Sequence, residues 1–302
     1  MFQPTKGIKT SKRLIGAHVS AAGGIDKAVE RVAAIGGTCL QLFSGSPRVW
    51  AKPGLERYPL DKYFSALEKY AIAPVFTHAL YLVNLTSDKP ENIRKSFESL
   101  KYELAFDSLV KGSGVVVHLG SHQGRGWEAS REQLAHQIDA LLTVTPEDST
   151  FLIENSAGQN GKIASDLREI RWLLDQAEAS GKWVSKNRLG WCFDTCHGHA
   201  AGYHLGDPAK IGSGEKSALA RIDELDLWST LRLIHANDSR DPFASGRDRH
   251  ANIGDGTIPQ ADLQFFLNAK EVQKLPLILE VPGIDGNGPD AENVRRVQQL
   301  VA

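Results

Sequence analysis

The sequence predicts a (β/α)8 TIM barrel, because short apolar runs alternate with helix-like segments along the chain and each run ends near a polar residue. Most of the runs are rich in Val, Ile, Leu and Phe, as buried parallel strands are. They span residues 14–20, 39–45, 73–79, 114–120, 149–155, 189–195, 232–238 and 276–282. Eight strands alternating with helices over one domain indicate a (β/α)8 barrel. A doubly wound open sheet, also built from parallel strands and helices, is the structural alternative.

Segments of helical character separate the runs. Residues 26–34, 60–70 and 91–109 carry apolar residues at helical spacing. In segment 166–178, Asp166 is a suitable N-cap ahead of apolar residues at the same spacing. These four segments are therefore predicted to be helices.

The chain is long enough to bury one core of barrel size, with 302 residues of which 41% are hydrophobic and 24% are charged. No long Pro/Ser linker interrupts residues 14–302, so they are predicted to form a single catalytic domain. Residues 1–13 are basic but lack the apolar core of a signal peptide. We expect them to be a short solvated lead-in.

Cysteine content and hydropathy bear on the location of the protein. Three cysteines, an odd number, argue against a disulfide framework and favour a reducing compartment. No apolar run is long enough to span a membrane, so a cytoplasmic protein without a membrane partner is expected. The net charge of −1 gives no sign of a nucleic-acid partner. A sequence count omits the charge of bound metal ions, however.

Polar residues at the carboxyl ends of the runs carry the functional signal. They are His18, His78, His118, Glu154, Asp194, His235 and Glu280. Active sites of such barrels lie at this end of the strands. Taken singly, each residue is more typical of a satisfied core position or an ion pair. Burying an unpaired polar side chain costs about 1–3 kcal/mol, so a converging set needs shared compensation, which metal ions provide.

Three further candidates lie just beyond strand ends. His197 follows Asp194 by three residues and is expected at the start of the loop after the sixth strand. Asp248 and His250, in the loop after the seventh strand, form an Asp-x-His pair whose side chains point the same way in an extended segment. Nine candidates result: His78, His118, Glu154, Asp194, His197, His235, Asp248, His250 and Glu280. They exceed the needs of one or two four-coordinate ions. Five imidazoles among them favour zinc or manganese over magnesium or calcium.

The stretch LGWCFDTCHGHA, residues 189–200, resembles a Cys/His zinc site at first sight. Strand alternation instead puts Cys192 in the barrel core, one layer below Asp194. Cys196 is expected in the turn after the strand, and the ligand count does not need it. His199 is expected either to contact a metal ligand from behind or to support the structure. Asp194 and His197 are therefore the predicted ligands in this stretch.

Several motifs together resemble endonuclease IV, the zinc-dependent apurinic/apyrimidinic endonuclease family of base excision repair. They are IGAHVSAAGG (15–24), SPRVW (46–50), HALYLVNL (78–85), VVHLGSH (116–122), IENSAGQ (153–159), FDTCHGHAAGY (193–203), HANDSR (235–240), DRHANIGDG (248–256) and LILEVPG (277–283). The similarity runs in order over almost the whole chain. Ala79, Ala236 and Val281 depart from residues common in the family, but none of them is a predicted ligand.

The resemblance implies a TIM barrel with three Zn²⁺ per chain, Mn²⁺ being possible at one site. By motif position, His78, His118 and Glu154 would hold one zinc. Glu154 would bridge to a second zinc, whose other ligands would be Asp194, His235 and Glu280. The third zinc would be held by His197, Asp248 and His250.

The resemblance also implies DNA repair activity. The substrate would be double-stranded DNA with abasic sites, cut 5′ to the abasic site to leave a 3′-hydroxyl and a 5′-deoxyribose phosphate. Zinc-bound water, with its pKa lowered toward ~7, would be the nucleophile as hydroxide. Glu154 is the expected catalytic residue, while Arg48, Tyr81 and Leu82 match the family's DNA-contact positions. A monomer is expected.

Two other functions fit parts of this pattern. A metal-dependent sugar isomerase or epimerase would present His, Asp and Glu at the same strand ends, with one or two metals and no DNA wedge. A non-catalytic barrel that binds nucleic acid or protein would not cleave DNA even when loaded with metal. Near three zinc ions per chain would favour the nuclease, whereas one manganese with activity on a ketose would favour the isomerase.

Overall fold

The computed structural model describes residues 13–181 and 183–301, and a closed barrel of parallel strands forms its centre. The expected lead-in, residues 1–13, lies outside the described residues except for Arg13. The Arg13 guanidinium donates to the carbonyl oxygens of Leu267, at 2.9 Å, and Val272, at 2.8 Å. These hydrogen bonds join the first described residue to segment 267–272 near the other end of the chain.

One strand coincides with each of the eight predicted runs, the seventh strand beginning one residue before its run. The strands are β1 (Ile15–His18), β2 (Cys39–Phe43), β3 (Val75–His78), β4 (Val115–Val117), β5 (Phe151–Glu154), β6 (Leu189–Asp194), β7 (Leu231–His235) and β8 (Leu277–Leu279). Each strand pairs in parallel with its neighbours in chain order, and β8 closes the ring by pairing with β1. The predicted TIM barrel is confirmed, and the open-sheet alternative is wrong because the sheet has no free edge.

Helices surround the barrel and connect its strands. They are α1 (Ile25–Ala34), α2 (Leu60–Tyr70), α3 (Pro90–Leu109), α4 (Arg131–Thr143), α5 (Leu167–Gly181), α6 (Thr195–Ala200), α7 (Ala218–Glu224), α8 (Gln260–Leu267) and α9 (Ala291–Leu300). The four predicted helices correspond to α1, α2, α3 and α5. Two short strand pairs lie outside the barrel: Tyr203–His204 with Lys216–Ser217, and Asp238–Ser239 with His250–Ala251.

The segment after β6 differs from the expectation. We expected His197 in a loop and Cys196 in a turn, but both lie in the short helix α6. Asp194 is the N-cap of this helix, because its Oδ1 accepts a hydrogen bond from the His197 backbone N–H at 2.8 Å. A side-chain acceptor at this position satisfies one of the free N–H groups of a first helical turn. The helix therefore begins directly at the strand end.

The apolar residues form two separate cores. The larger core fills the space between the strands and the helices. A smaller one, here called the interior layer, lies inside the barrel and consists of Cys39, Phe76, Val116, Leu152, Cys192, Leu233 and Ile278. Because side chains alternate along a strand, the residue two positions after each of these also faces the barrel interior, nearer its carboxyl end. The interior layer thus forms the floor of the barrel mouth.

Among the described residues, none of the helices combines the length and apolar character needed to cross a membrane.

Asp107 of α3 is a buried carboxyl group whose contribution to stability depends on pH. Its side chain is fully buried, accepts a hydrogen bond from Thr77 Oγ1 at 3.3 Å, and has its pKa raised by burial to about 7. Between the ordinary pKa and about 7, the folded protein keeps a proton that the unfolded chain releases. This group therefore lowers the unfolding free energy as pH rises, by up to about 1.4 kcal/mol per pH unit.

We expect Asp107→Asn to remove that contribution, since the amide does not ionise. Urea unfolding at several pH values between about 4 and 7 should show a variant whose stability falls less steeply than that of the wild type. Asp61→Asn, at an exposed position in α2, is the control and should follow the wild type. Equal slopes for Asp107→Asn and the wild type would contradict the assignment.

Candidate metal centre

The nine residues predicted to bind metal converge at the carboxyl end of the barrel. His78, Glu154, Asp194 and His235 end their strands, and His118 and Glu280 come one residue after β4 and β8. The remaining three come from connecting segments: His197 lies in α6, and Asp248 and His250 follow β7. The strand-end residues lie two positions after members of the interior layer, which accounts for their inward direction.

Glu154 is at the centre of the arrangement. Its side chain is fully buried, and its two oxygens face different histidines. Oε2 lies 3.4 Å from His78 Nε2 and 3.2 Å from His118 Nε2. Oε1 lies 2.9 Å from His235 Nδ1. One carboxylate therefore joins two groups of potential ligands.

The second group contains Glu154, Asp194, His235 and Glu280, whose ligand atoms all lie within 4.8 Å of one another. His235 Nδ1 is the common neighbour: it is 3.2 Å from Glu280 Oε2 and 3.8 Å from Asp194 Oδ2. Three carboxylates around one imidazole nitrogen form a strongly anionic pocket. Such a pocket favours a cation.

The third group is centred on His197 and His250. With Asp194 they form a set whose ligand atoms lie within 4.8 Å of one another. Asp248 is adjacent, since its Oδ1 lies 2.9 Å from His197 Nε2 and 3.6 Å from His250 Nε2. The predicted trio of His197, Asp248 and His250 is thus brought together, and Asp194 Oδ2 approaches it at 3.6 Å from His250 Nε2.

Hydrogen bonds to backbone carbonyls orient three of the histidines. The Nδ1 atoms of His78, His197 and His250 lie 2.7, 3.0 and 3.2 Å from the carbonyl oxygens of Ala79, Asn155 and Glu280, respectively. A carbonyl oxygen only accepts, so Nδ1 carries the hydrogen in each ring. Nε2 is then the nitrogen that faces the site and can bind an ion, which is how metal-binding histidines are commonly held.

Buried atoms without partners test whether these residues fit metal ions. Within residues 13–181 and 183–301, Glu154 Oε2, His197 Nε2 and His250 Nε2 are buried and have no hydrogen-bond partner. The short contact between His197 and Asp248 is an ion-pair contact without hydrogen-bond geometry. Leaving such atoms unpaired costs about 1–3 kcal/mol each. Metal ions would satisfy all three, so the clusters are consistent with a multinuclear metal site.

The charges in the site shift one another's pKa values. Burial disfavours the Glu154 carboxylate, but the imidazoles of His118 and His235 outweigh it and hold the pKa of Glu154 well below its ordinary value. Burial also opposes protonation of His197, yet the carboxylates of Asp194 and Asp248 outweigh it and raise the pKa of His197 to about 10. A metal ion bound by His197 would therefore displace a proton.

The predicted DNA-contact residues lie on loops at the rim of the site. Arg48 is exposed between β2 and α2, and Tyr81 and Leu82, after β3, are 58% and 41% exposed. Tyr81 lines the cavity of about 320 Å³ that contains His78, His118, His197, Asp248, His250 and Glu280. It also lines a larger groove of about 820 Å³ that runs past His18 and Pro47. The two spaces share Tyr81, His250, Glu280 and Pro282 as lining residues.

Sequence reasoning missed three polar residues that contact the predicted ligands. Asn237 Nδ2 donates to Asp194 Oδ2 at 2.6 Å, and Asn155 Oδ1 accepts from the Asp194 backbone N–H at 2.6 Å. Gln41, inside β2, contacts His18, His235 and Glu280. Position gives the only signal for them: each asparagine lies one or two residues after a predicted ligand, and Gln41 interrupts the apolar run CLQLF.

The cysteines and His199 lie where the sequence predicted no ligands. Cys192 belongs to the interior layer, and Cys196 is buried in α6. Neither is part of the three groups of potential ligands. His199 is buried, and its Nε2 lies 3.3 Å from Thr257 Oγ1.

Comparison with known proteins relates the chain to a family over almost its whole length. The family model described as a xylose isomerase-like TIM barrel matches residues 29–300. A probable endonuclease 4 from Methanoculleus marisnigri is 36% identical over 288 residues, which cover 95% of this chain and 98% of that protein. Endonuclease IV from Thermus thermophilus matches in structure with a TM-score of 0.78 and 30% identity, over 95% of this chain and 98% of that chain.

A sugar epimerase is similar in fold alone. D-psicose 3-epimerase from Clostridium cellulolyticum matches with a TM-score of 0.61 and 14% identity, over 95% of this chain and 96% of that chain. At such low identity, the match shows only that the two chains share the barrel architecture.

Proton release offers a test of the metal centre. Because His197 has a pKa of about 10, we expect zinc affinity to rise with pH between about 6 and 8, by about tenfold per pH unit for each proton displaced. Chelator competition at several pH values measures this. His136→Gln, at an exposed position in α4, is the control and should behave as the wild type. A zinc affinity independent of pH would contradict the assignment of His197.

Proposed function

The chain belongs to the endonuclease IV family and is thus a phosphodiesterase, and from that premise we propose that it cleaves double-stranded DNA on the 5′ side of abasic sites. The products would be a 3′-hydroxyl and a 5′-deoxyribose phosphate. The observation that carries the proposal is the convergence of nine His, Asp and Glu side chains in three adjoining groups, with Glu154 at the centre.

The residues support a centre of three zinc ions. The first group is His78, His118 and Glu154; the second is Glu154, Asp194, His235 and Glu280; the third is His197, Asp248 and His250, with Asp194 next to it. Bound zinc would lower the pKa of water toward ~7 and offset the charge of the scissile phosphate. With such chemistry available, no Ser or Cys nucleophile is required.

Glu154 is the proposed catalytic residue. It is fully buried, and its two oxygens face the first and the second group. A carboxylate held between two groups fixes the spacing of their ligands. Its low pKa keeps it ionised, so it remains an acceptor for the attacking water throughout the neutral pH range. The fixed geometry, rather than movement of a side chain, would align the reacting atoms.

The third group lies beside the path of the substrate. The side chains of Asp248 and His250 are 26% and 16% exposed, whereas that of Glu154 is fully buried. His250 lines both the site cavity and the large groove. Glu280 of the second group lines both spaces as well, so a phosphate that enters along the groove would meet His250 and Glu280 together. The greater exposure of Asp248 suits the third group to binding the phosphate and stabilising the leaving 3′-oxygen.

The rim residues are suited to recognising a gap in stacked DNA. The Tyr81 ring packs edge-on against Phe43, with ring centroids 5.4 Å apart, while more than half of its surface stays exposed. An aromatic and an aliphatic side chain, Tyr81 and Leu82, can fill the space left by a missing base. Arg48 can hold a phosphate or the orphan base across the groove. We propose that these three residues engage the abasic site.

Glu154→Ala tests the proposed chemistry. We expect loss of cleavage by more than about 100-fold, because even residues behind the ligands typically contribute 10- to 100-fold in such sites. The measurement is gel analysis of a labelled duplex with one synthetic abasic site, with and without a chelator. Circular dichroism should show a near-native fold. Glu147→Gln, an exposed carboxylate change, is the control. Wild-type cleavage by Glu154→Ala would overturn the mechanism.

Replacing both Tyr81 and Leu82 by Gly tests the wedge. Stacking contacts contribute about 1–3 kcal/mol per base, so binding of the abasic duplex should weaken by about tenfold or more while zinc content is unchanged. Fluorescence anisotropy and metal analysis measure the two effects. Val144→Gly removes an exposed apolar side chain on the amino-terminal side of β5 and should bind normally. Loss of metal with intact DNA binding would show that these residues do not contact DNA.

A further inference from the structure

Gln41 is a polar residue in the middle of β2, and its side chain is fully buried. The residue two positions before it, Cys39, belongs to the interior layer. The other six members of that layer each precede, by two positions, one of the predicted metal ligands. Gln41 therefore occupies the position at the barrel mouth that corresponds to a ligand on the other strands.

The Gln41 amide oxygen determines which nitrogen of His235 faces the site. Its Oε1 lies 2.9 Å from His235 Nε2. An amide oxygen only accepts, so Nε2 carries a hydrogen directed at Gln41, and Nδ1 is the nitrogen left to bind an ion. Nδ1 is the atom that faces Glu154 Oε1 at 2.9 Å. His235 thus presents Nδ1, in contrast to His78, His197 and His250, whose Nδ1 atoms are held by backbone carbonyls.

The amide nitrogen of the same side chain holds Glu280. Gln41 Nε2 donates to Glu280 Oε1 at 2.6 Å, and His18 Nδ1 lies 2.9 Å from the same oxygen. With Oε1 engaged in this way, Oε2 is the oxygen that faces His235 Nδ1, at 3.2 Å. The two ends of one amide therefore orient two ligands of the same group.

We propose that Gln41 is a positioning residue for the second metal group: it fixes the tautomer of His235 and the rotation of the Glu280 carboxylate, so that both present the correct atom to one ion. An apolar residue of similar volume would fill the barrel equally well. It would leave His235 Nε2 and Glu280 Oε1 without this partner in a buried site, and either ring nitrogen of His235 could then be protonated. The inference rests on the metal-dependent function proposed above.

Gln41→Met is the direct test, because it conserves volume and removes both hydrogen bonds. We expect chelator competition to show one of the three zinc ions bound 10- to 100-fold more weakly than in the wild type, with the other two unchanged. The visible spectrum of the Co²⁺-loaded protein should change, since the geometry of one site is altered. Gln41→Asn, which keeps an amide too short to reach both partners, should give a smaller effect in the same direction and serves if Gln41→Met does not fold.

Cys39→Ala is the matched control. It removes a buried side chain from the same strand and the same interior, one layer lower, where Cys39 Sγ contacts the Leu277 carbonyl oxygen rather than a ligand. We expect it to lower stability while zinc affinity and the Co²⁺ spectrum stay as in the wild type. If Cys39→Ala weakens zinc as much as Gln41→Met does, or if Gln41→Met binds three ions normally, the inference is wrong.

The same measurements separate this inference from the proposed function. A wild-type protein that binds no zinc and cleaves abasic DNA with chelator present would overturn the metal-dependent function itself. A wild type with three zinc ions and a Gln41→Met variant with identical affinities and spectrum would overturn only the role of Gln41.

Discussion

The two-residue period of the barrel strands is the constraint on which the site depends. An interior residue in one layer requires that the residue two positions later also faces inward, closer to the carboxyl end. Cys192 and Asp194, Leu233 and His235 are such pairs. The apolar member packs the barrel, and the polar member faces the space above it. Burial of the ligands and their convergence are thus consequences of the same geometry that closes the sheet.

Because the ligands are buried, the fold must supply hydrogen-bond partners for some polar atoms of each side chain and leave the metal-facing atoms available. Backbone carbonyls hold the Nδ1 atoms of three histidines, and Asn237 and the N-terminus of α6 hold the two oxygens of Asp194. Glu154 Oε2, His197 Nε2 and His250 Nε2, which are buried without hydrogen-bond partners in the described part of the chain, belong to the adjoining groups of potential ligands. In a site preorganised in this way, side chains need little rearrangement when a cation binds. The unfavourable contribution to its free energy is electrostatic repulsion, because several carboxylates lie close together.

The sequence was sufficient to predict the barrel and the six converging residues at strand ends, because both follow from local patterns: apolar runs with a polar end, and helical spacing between them. The other three, predicted from their positions just beyond strand ends, are His197, Asp248 and His250. The sequence could not predict Gln41, whose partners His18, His235 and Glu280 are up to 239 residues away in the chain. It also indicated a loop in place of α6, since a helix of six residues shows almost no periodicity. The proximity of Asp194 to the third group depends on strand register, which the chain does not display locally.

The three groups differ in how they depend on the fold. The first two use residues at or next to strand ends, positions that every barrel of this architecture provides. His197, Asp248 and His250 instead come from α6 and from the segment after β7, and His197 is placed by the hydrogen bond from its own backbone to Asp194. A barrel with different connecting segments would keep the first two groups and lose the third. The features that separate a phosphodiesterase from sugar-converting barrels of the same architecture are therefore expected in these segments and in the rim loops, not in the strands.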